Sequence, residues 1–209
     1  MKLIDLSHAL VQGQASFPGD PPLIVQPHGT VATTLCNTTQ ITIGTHQGTH
    51  LDAMYHCFDG GRTVDRMPLE WFYGPARLLR IPKQAREEIT ADDLCRFEAY
   101  LQPEAKVLLA TGWHRHFGAP DFFTDFPSLT LEAGRYLVSR RIRLLGMDMP
   151  SPSQQWLDIH QLLQARDVEI VLVEALANLD ALPDEFLFIG FPLNFQGRDG
   201  SPIRAVAVC

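Results

Sequence analysis

No long hydrophobic run occurs in this sequence. Asp5 interrupts the N-terminal apolar stretch and Glu174 the richest internal one, so nothing approaches the roughly 18 uninterrupted apolar residues of a membrane-spanning helix. No secretory leader is recognisable, and a soluble, cytoplasmic protein without a membrane partner is expected. Cysteine is scarce: the four, at 36, 57, 95 and 209, form neither a CxxC pair nor a disulfide framework and read as reduced thiols, with Cys57 as a small buried hydrophobe. Basic residues are outnumbered, 17 against 24 acidic, and the net charge of −7 removes the attraction that a nucleic-acid backbone or an anionic lipid surface relies on. Gly-x-Ser-x-Gly, the Walker phosphate loop and the Rossmann glycine fingerprint are all missing, which leaves serine-hydrolase, nucleotide and dinucleotide chemistry without sequence support. A small-molecule substrate is the partner class that remains.

What is present is ordinary globular material: 209 residues, 45% hydrophobic and 20% charged, enough for one core. The 15 prolines are dispersed, and no repeat or linker divides the chain, so residues 1–209 are read as a single domain. Short β-rich runs at Ala76 to Ile81, Val107 to Ala110, Ile142 to Met147, Val168 to Val173 and Phe186 to Phe191 are strand candidates. Between them, Thr90 with Asp92 and Asp93 starts a helix whose Leu94, Phe97 and Leu101 repeat at helical spacing. A second helix covers Leu131 to Arg141 and a third Trp156 to Arg166, the last with Ile159, Leu162 and Leu163 as its apolar stripe. The first 50 residues differ: Thr33 to Gln40 are polar and β-branched, and Phe17-Pro18-Gly19-Asp20-Pro21-Pro22 punctuates a turn, which suggests hairpins. The expected fold is a single α/β domain with a mixed β-sheet, β-rich at the N-terminus and built of β/α units thereafter.

Three of the eight histidines fall within eleven residues, His46-Gln47-Gly48-Thr49-His50-Leu51-Asp52-Ala53-Met54-Tyr55-His56. Imidazole nitrogen and carboxylate oxygen are the ligands that zinc, manganese and related ions share, so this spacing points to a metal site. Neither regular structure brings all four together. On a helix Asp52 points away from His46 and His50; on a strand His46 and His50 lie roughly 13 Å apart. The segment therefore has to turn, and Gly44 and Gly48 are the residues able to supply unusual dihedrals. Farther along, Glu174 ends the run Ile170-Val171-Leu172-Val173, placing a carboxylate at the C-terminal end of a buried strand, where open α/β sheets build their sites. Asp148 ends another strand and reads equally as a turn cap. His114 and His116 flank Arg115 on what reads as an exposed loop.

The histidine run resembles the H-x-G-T-H-x-D-x-P-x-H signature of the metal-dependent cyclase and hydrolase family that includes bacterial kynurenine formamidases and isatin hydrolases. His46, Gly48, Thr49, His50, Asp52 and His56 match it, and Met54 stands where that family has proline. Asp5-Leu6-Ser7, Phe17-Pro18-Gly19-Asp20, Thr111-Gly112-Trp113, the segment Gly146 to Ser151, Glu174 to Leu179 and Gly200 to Val206 follow in the family's order. The resemblance implies one or two divalent ions, zinc or manganese, with His46, His50 and Asp52 on the first and Asp52 bridging to a second held by His160 and Glu174. It also implies a homodimer or larger homo-oligomer, in keeping with the closed symmetry common among soluble enzymes.

The chemistry so implied is hydrolysis of a small non-peptide amide, an aryl formamide such as N-formylkynurenine or a cyclic amide. His56, not needed as a ligand, shuttles the proton. A lactone hydrolase, a cyclase or lyase, and a non-catalytic metal-stabilised module are the alternatives that use the same residues. Phe17, Met54, Trp71 and Trp156 are possible pocket walls.

Overall fold

The computed structural model describes residues 1–209. Thirteen strands form in chain order. The first four are β1 (Leu3–Asp5), β2 (Ile24–Gly29), β3 (Thr38–Thr42) and β4 (His50–Asp52). Then come β5 (Tyr73–Arg80), β6 (Glu88–Ile89), β7 (Lys106–Ala110), β8 (Ser128–Leu129), β9 (Leu144–Met147) and β10 (Val171–Glu174), followed by β11 (Glu185–Ile189), β12 (Gly200–Pro202) and β13 (Val206–Val208). Nine of them make one mixed sheet in the order β1-β13-β11-β5-β7-β9-β10-β4-β12. Its centre, β5-β7-β9-β10, is parallel, and both wings are antiparallel. All five strand candidates lie in this sheet, and the expected α/β class with a mixed sheet is what the chain adopts.

Side-chain alternation divides the core. Leu108, Val171 and Val173 face one apolar layer with Leu51, Met54 and Phe72, whereas Val107, Leu109 and Leu172 face the other. Three of the four helices, α2 (Ala91–Cys95), α3 (Leu131–Arg140) and α4 (Trp156–Leu163), pack on the second layer through Leu94, Leu137, Ile159 and Leu163. Gly146 is required at the centre of β9, because a Cβ there would run into the Leu108 side chain.

Three sequence expectations change in detail. Thr90 and Asp93 cap α2 reciprocally, but the helix ends at Cys95; Phe97 leaves helical dihedrals (φ −112°, ψ 18°), and Leu101 reaches the core from beyond a 3₁₀ turn at Glu98–Tyr100. α4 stops at Leu163, since Gln164 breaks the helix at φ −104°, ψ 8°, and Arg166 lies past its end. Near the N-terminus β2 and β3 do pair as a two-stranded ribbon, with Thr33 and Thr34 closing a short helix, α1 (Val31–Thr34), between them. β3 is exposed along its whole length, so the ribbon stands outside the main core.

Candidate metal centre

The sheet register explains how distant residues meet. β4 lies antiparallel to β10 with His50 directly opposite Glu174, so those two side chains emerge on one face. Asp52, two residues on, shares that face, while Leu51 between them points into the core. The cluster thus sits at the C-terminal end of β10, the edge expected for an α/β site. His46 approaches from the turn before β4, where Gly48 alone adopts a left-handed conformation (φ +62°); Gly44 does not, so one glycine makes the turn that the spacing demanded. His56 ends a 3₁₀ turn at Met54–His56, and His160 comes from α4. The rings of His46 and His50 stand 5.1 Å apart, those of His46 and His56 4.1 Å, and those of His56 and His160 5.5 Å.

Asp52, His50, His160 and Glu174 are buried, at 1%, 4%, 3% and 4% exposure. His50 Nδ1 is 2.8 Å from the carbonyl of Gly48, and His160 Nδ1 is 2.7 Å from that of Trp156. A carbonyl can only accept, so both rings donate there and turn Nε2 inward. His50 Nε2 lies 3.4 Å from both Asp52 Oδ1 and Glu174 Oε2. His160 Nε2 lies 3.3 Å from both Asp52 Oδ2 and Glu174 Oε1. Those last two oxygens are buried without a hydrogen-bond partner. Inward lone pairs facing buried carboxylates need a positive charge among them, because acceptor against acceptor repels.

Bonds of about 2.0–2.2 Å at tetrahedral angles set neighbouring N and O donors about 3.3–3.5 Å apart, the spacing of the His50 and His160 Nε2 atoms from their carboxylate oxygens, and the donor groups close enough together to share one ion are His46-His50-Asp52, Asp52-His56-His160 and His46-His56-Asp199. The residues therefore fit a divalent ion. In its absence protons take that role. Burial pushes the His160 imidazolium down, yet Asp52 and Glu174 outweigh it and raise its pKa to about 10. Burial likewise opposes a charged Asp52, but His46 and His160 hold its carboxyl well below the usual carboxylate range.

His46 is held differently. Its Nδ1 meets Asp52 Oδ1 and its Nε2 meets Asp199 Oδ2, both at 2.7 Å, and these two carboxylates overcome burial to raise its pKa to about 10. Asp199, also bonded by Thr45 Oγ1 at 2.9 Å, escaped the sequence reading. Its only signal is an Asp-Gly pair, which reads as a turn. The His56 imidazole makes no hydrogen bond; burial, reinforced by His46 and His160, lowers its pKa against the pull of Asp52 and Glu174. A neutral imidazole beside the cluster, free at both nitrogens, is equipped to accept a proton.

These groups open into a pocket of about 220 Å³ walled by Phe17, Phe117, Phe123, Pro150 and Trp156, with the Asp20 carboxylate at its edge and no lysine or arginine. Of the four possible walls, Phe17 and Trp156 line the pocket. Met54 and Trp71 do not: both pack with the core layer beneath, and Trp71 also carries Arg62 and Arg143 over its ring. Cys57 is half-buried, and burial with the Asp52 and Glu174 charges pushes its thiol up to about 12, which leaves no thiolate nucleophile at neutral pH. Asp148 is a turn cap, fully buried and accepting from Thr111 N, Thr111 Oγ1 and Gly112 N. His114 is not on an exposed loop; its side chain is 10% exposed, with Nδ1 3.2 Å from Asp148, while His116 stacks on Trp113 and stays partly open.

A mixed α/β sheet with buried histidines and carboxylates at one strand edge defines a protein suited to a divalent cation. The family described as putative cyclase matches residues 4–154. Kynurenine formamidase of Bacillus anthracis is 31% identical over 215 residues, spanning 98% of this chain and 96% of its own length; that of Bordetella avium is 31% identical over 217 residues, spanning 98% and 97%. Isatin hydrolase A from Labrenzia aggregata, solved bound to benzyl benzoate, superposes with a TM-score of 0.86 at 25% identity over 99% of this chain and 93% of that one. A potential metal-dependent hydrolase with cyclase activity shares the fold at a TM-score of 0.83 and 24% identity, over 99% and 96% of the two chains. The chain belongs to the cyclase family.

Proposed function

We propose that the protein is a metal-dependent hydrolase of a small non-peptide amide, either an aryl formamide such as N-formylkynurenine or a cyclic amide. The observation that carries this reading is the inward aim of His50 and His160 Nε2 at two buried carboxylates with orphaned oxygens. His46, His50, Asp52, His160 and Glu174 are the ligand set, with Asp52 central because it faces three of the histidines. The backbone carbonyls behind His50 and His160 fix the tautomer that ligation requires. Nitrogen and oxygen donors of this kind suit zinc or manganese, one ion or two. An ion held there supplies Lewis acidity to a carbonyl and makes water acidic enough to react at neutral pH.

The chain's own groups do the rest. His56, neutral and unbonded, takes the proton from water at a ring nitrogen as oxygen attacks the acyl carbon. It then returns the proton to the leaving nitrogen as the C–N bond breaks, giving a carboxylate and an amine. Phe17, Phe117, Phe123 and Trp156 offer flat apolar surface to a single aromatic ring, and the pocket's volume suits a substrate of that size better than a peptide. The kynurenine formamidases and the isatin hydrolase among its relatives supply the two named substrate types.

The experiment is turnover of N-formylkynurenine, isatin and a γ-lactone by the metal-loaded protein in oxygen-18 water. Label in formate or in the ring-opened carboxylate supports the proposal. Exclusive turnover of the lactone, or product without label, overturns it.

A further inference from the structure

A second cleft, of about 490 Å³, shares no lining residue with the first. It is bordered by Arg62, Arg66 and Arg166 against a single acidic residue, Glu169, a local positive excess in a chain of net charge −7. Arg62 is occupied, gripping Glu169 with two parallel bonds of 3.0 and 3.1 Å. Arg166 makes only a 3.5 Å contact to the Gly60 carbonyl, and the Arg66 guanidinium makes no ion pair or hydrogen bond. Gln164, the residue that ends α4, lines the same cleft. Its side chain is fully buried and leaves both the amide nitrogen and the amide oxygen without a partner. An amide with neither bond made is costly, and such groups in folded proteins usually answer to water or a ligand.

We infer that this cleft binds a phosphate group. Two unpaired guanidinium groups call for an oxyanion with several acceptor oxygens. Gln164 selects among oxyanions: Nε2 needs an acceptor and Oε1 needs a donor. An ionised carboxylate or sulfate only accepts, whereas a phosphate carrying one proton does both. A phosphomonoester presents the same chemistry as free phosphate while it keeps one proton, which it does in part at the test's pH because its second pKa is about 6. The cleft is built by the turn after His56 and by the end of the helix that carries His160, so it lies behind the proposed catalytic groups without touching them.

The test uses the metal-loaded full chain at pH 6.5 and constant ionic strength, following melting temperature and calorimetric binding with inorganic phosphate, phenyl phosphate, sulfate and succinate. The inference predicts a saturable response to phosphate, at least tenfold weaker in Arg66→Met/Arg166→Met, whose exposed side chains leave the fold and the metal site intact. Gln164→Leu should bind phosphate and sulfate alike, since the selecting amide is gone. Tighter binding of phenyl phosphate assigns the site to an ester, and tighter binding of inorganic phosphate assigns it to the free ion. An unchanged phosphate response in the double arginine variant places phosphate elsewhere, for instance at the metal, and overturns the inference. A wild-type response to phosphate no greater than to sulfate and succinate overturns it too. Neither readout depends on amide hydrolysis, so the site and the proposed reaction stand or fall separately.

Discussion

Removing the ion should loosen the fold by an amount that can be worked out. The proposed ligands come from three separate elements, β4, β10 and α4, with His46 from the preceding turn, so an ion on them ties together segments far apart in sequence. Binding to the folded state alone contributes RT ln(1 + [L]/Kd), about 2.7 kcal/mol at 100 times Kd and about 4.1 at 1,000 times. For a chain near this length each kcal/mol moves the midpoint by about 2–4 °C, so saturating zinc or manganese should raise the melting temperature of chelator-treated protein by about 5–11 °C at 100 times Kd. The sign of the pH effect follows from the protons the ion displaces. His46 and His160, both raised to about 10 when no ion is present, must lose their protons on ligation, so apparent affinity should climb as pH rises from 6 toward 10 and protons should be released into buffer. Differential scanning calorimetry across that range, on wild type and Asp52→Asn, reads both. A midpoint indifferent to metal, or a full metal shift in Asp52→Asn, would refute the shared ion.

Three further outcomes are expected. Burial, with His114 nearby, lowers the His8 pKa to about 4 from 6.5, so the native state keeps this ring neutral. Its contribution is present above 6.5 and lost as pH falls from 6.5 toward 4, and His8→Phe should flatten the stability profile in that window on urea titration. Asp148→Ala leaves the buried Thr111 amide and the half-buried Gly112 amide unpaired and should cost about 3–5 kcal/mol by urea titration while metal content stays at the wild-type level; a loss of metal without a loss of stability would contradict its role as a cap. Asp20, whose carboxylate makes no hydrogen bond or ion pair at the pocket edge, is placed to meet the ammonium of an amino-acid substrate. Asp20→Asn should raise KM for N-formylkynurenine up to about fivefold and leave isatin, which has no ammonium, unchanged.

The two kinds of signal in the sequence differed in reach. Strand positions were legible because β7, β9 and β10 are short apolar runs buried on both faces, and β5 and β11 show buried residues alternating with more exposed ones over most of their length. Helix ends were not: the apolar spacing of Leu94, Phe97 and Leu101 is satisfied equally by a helix and by a broken helix with a 3₁₀ turn, since all three still reach the core. Within the site, His50 and Asp52 could be paired by period two, and Glu174 by its place at a strand end. Their meeting depends on the antiparallel β4–β10 register, which no local pattern encodes. His160 drew its support from family resemblance, because a histidine beside an apolar helical stripe has the same appearance whether or not it ligates. Asp199, Phe117 and Phe123 stayed hidden for a related reason: each lies in irregular chain, where neighbours in space are remote in sequence.

In the proposed reaction His56 transfers the proton next to an ion held by other residues. The direct measurement is metal content and kcat, side by side, for wild type, His56→Ala and His50→Ala on whichever of N-formylkynurenine and isatin the protein turns over. His56→Ala should keep its full metal complement and lose about 10²–10⁴-fold in kcat, whereas His50→Ala should lose metal and activity together. Full activity in His56→Ala, or metal retained at the wild-type level in His50→Ala, would contradict these roles.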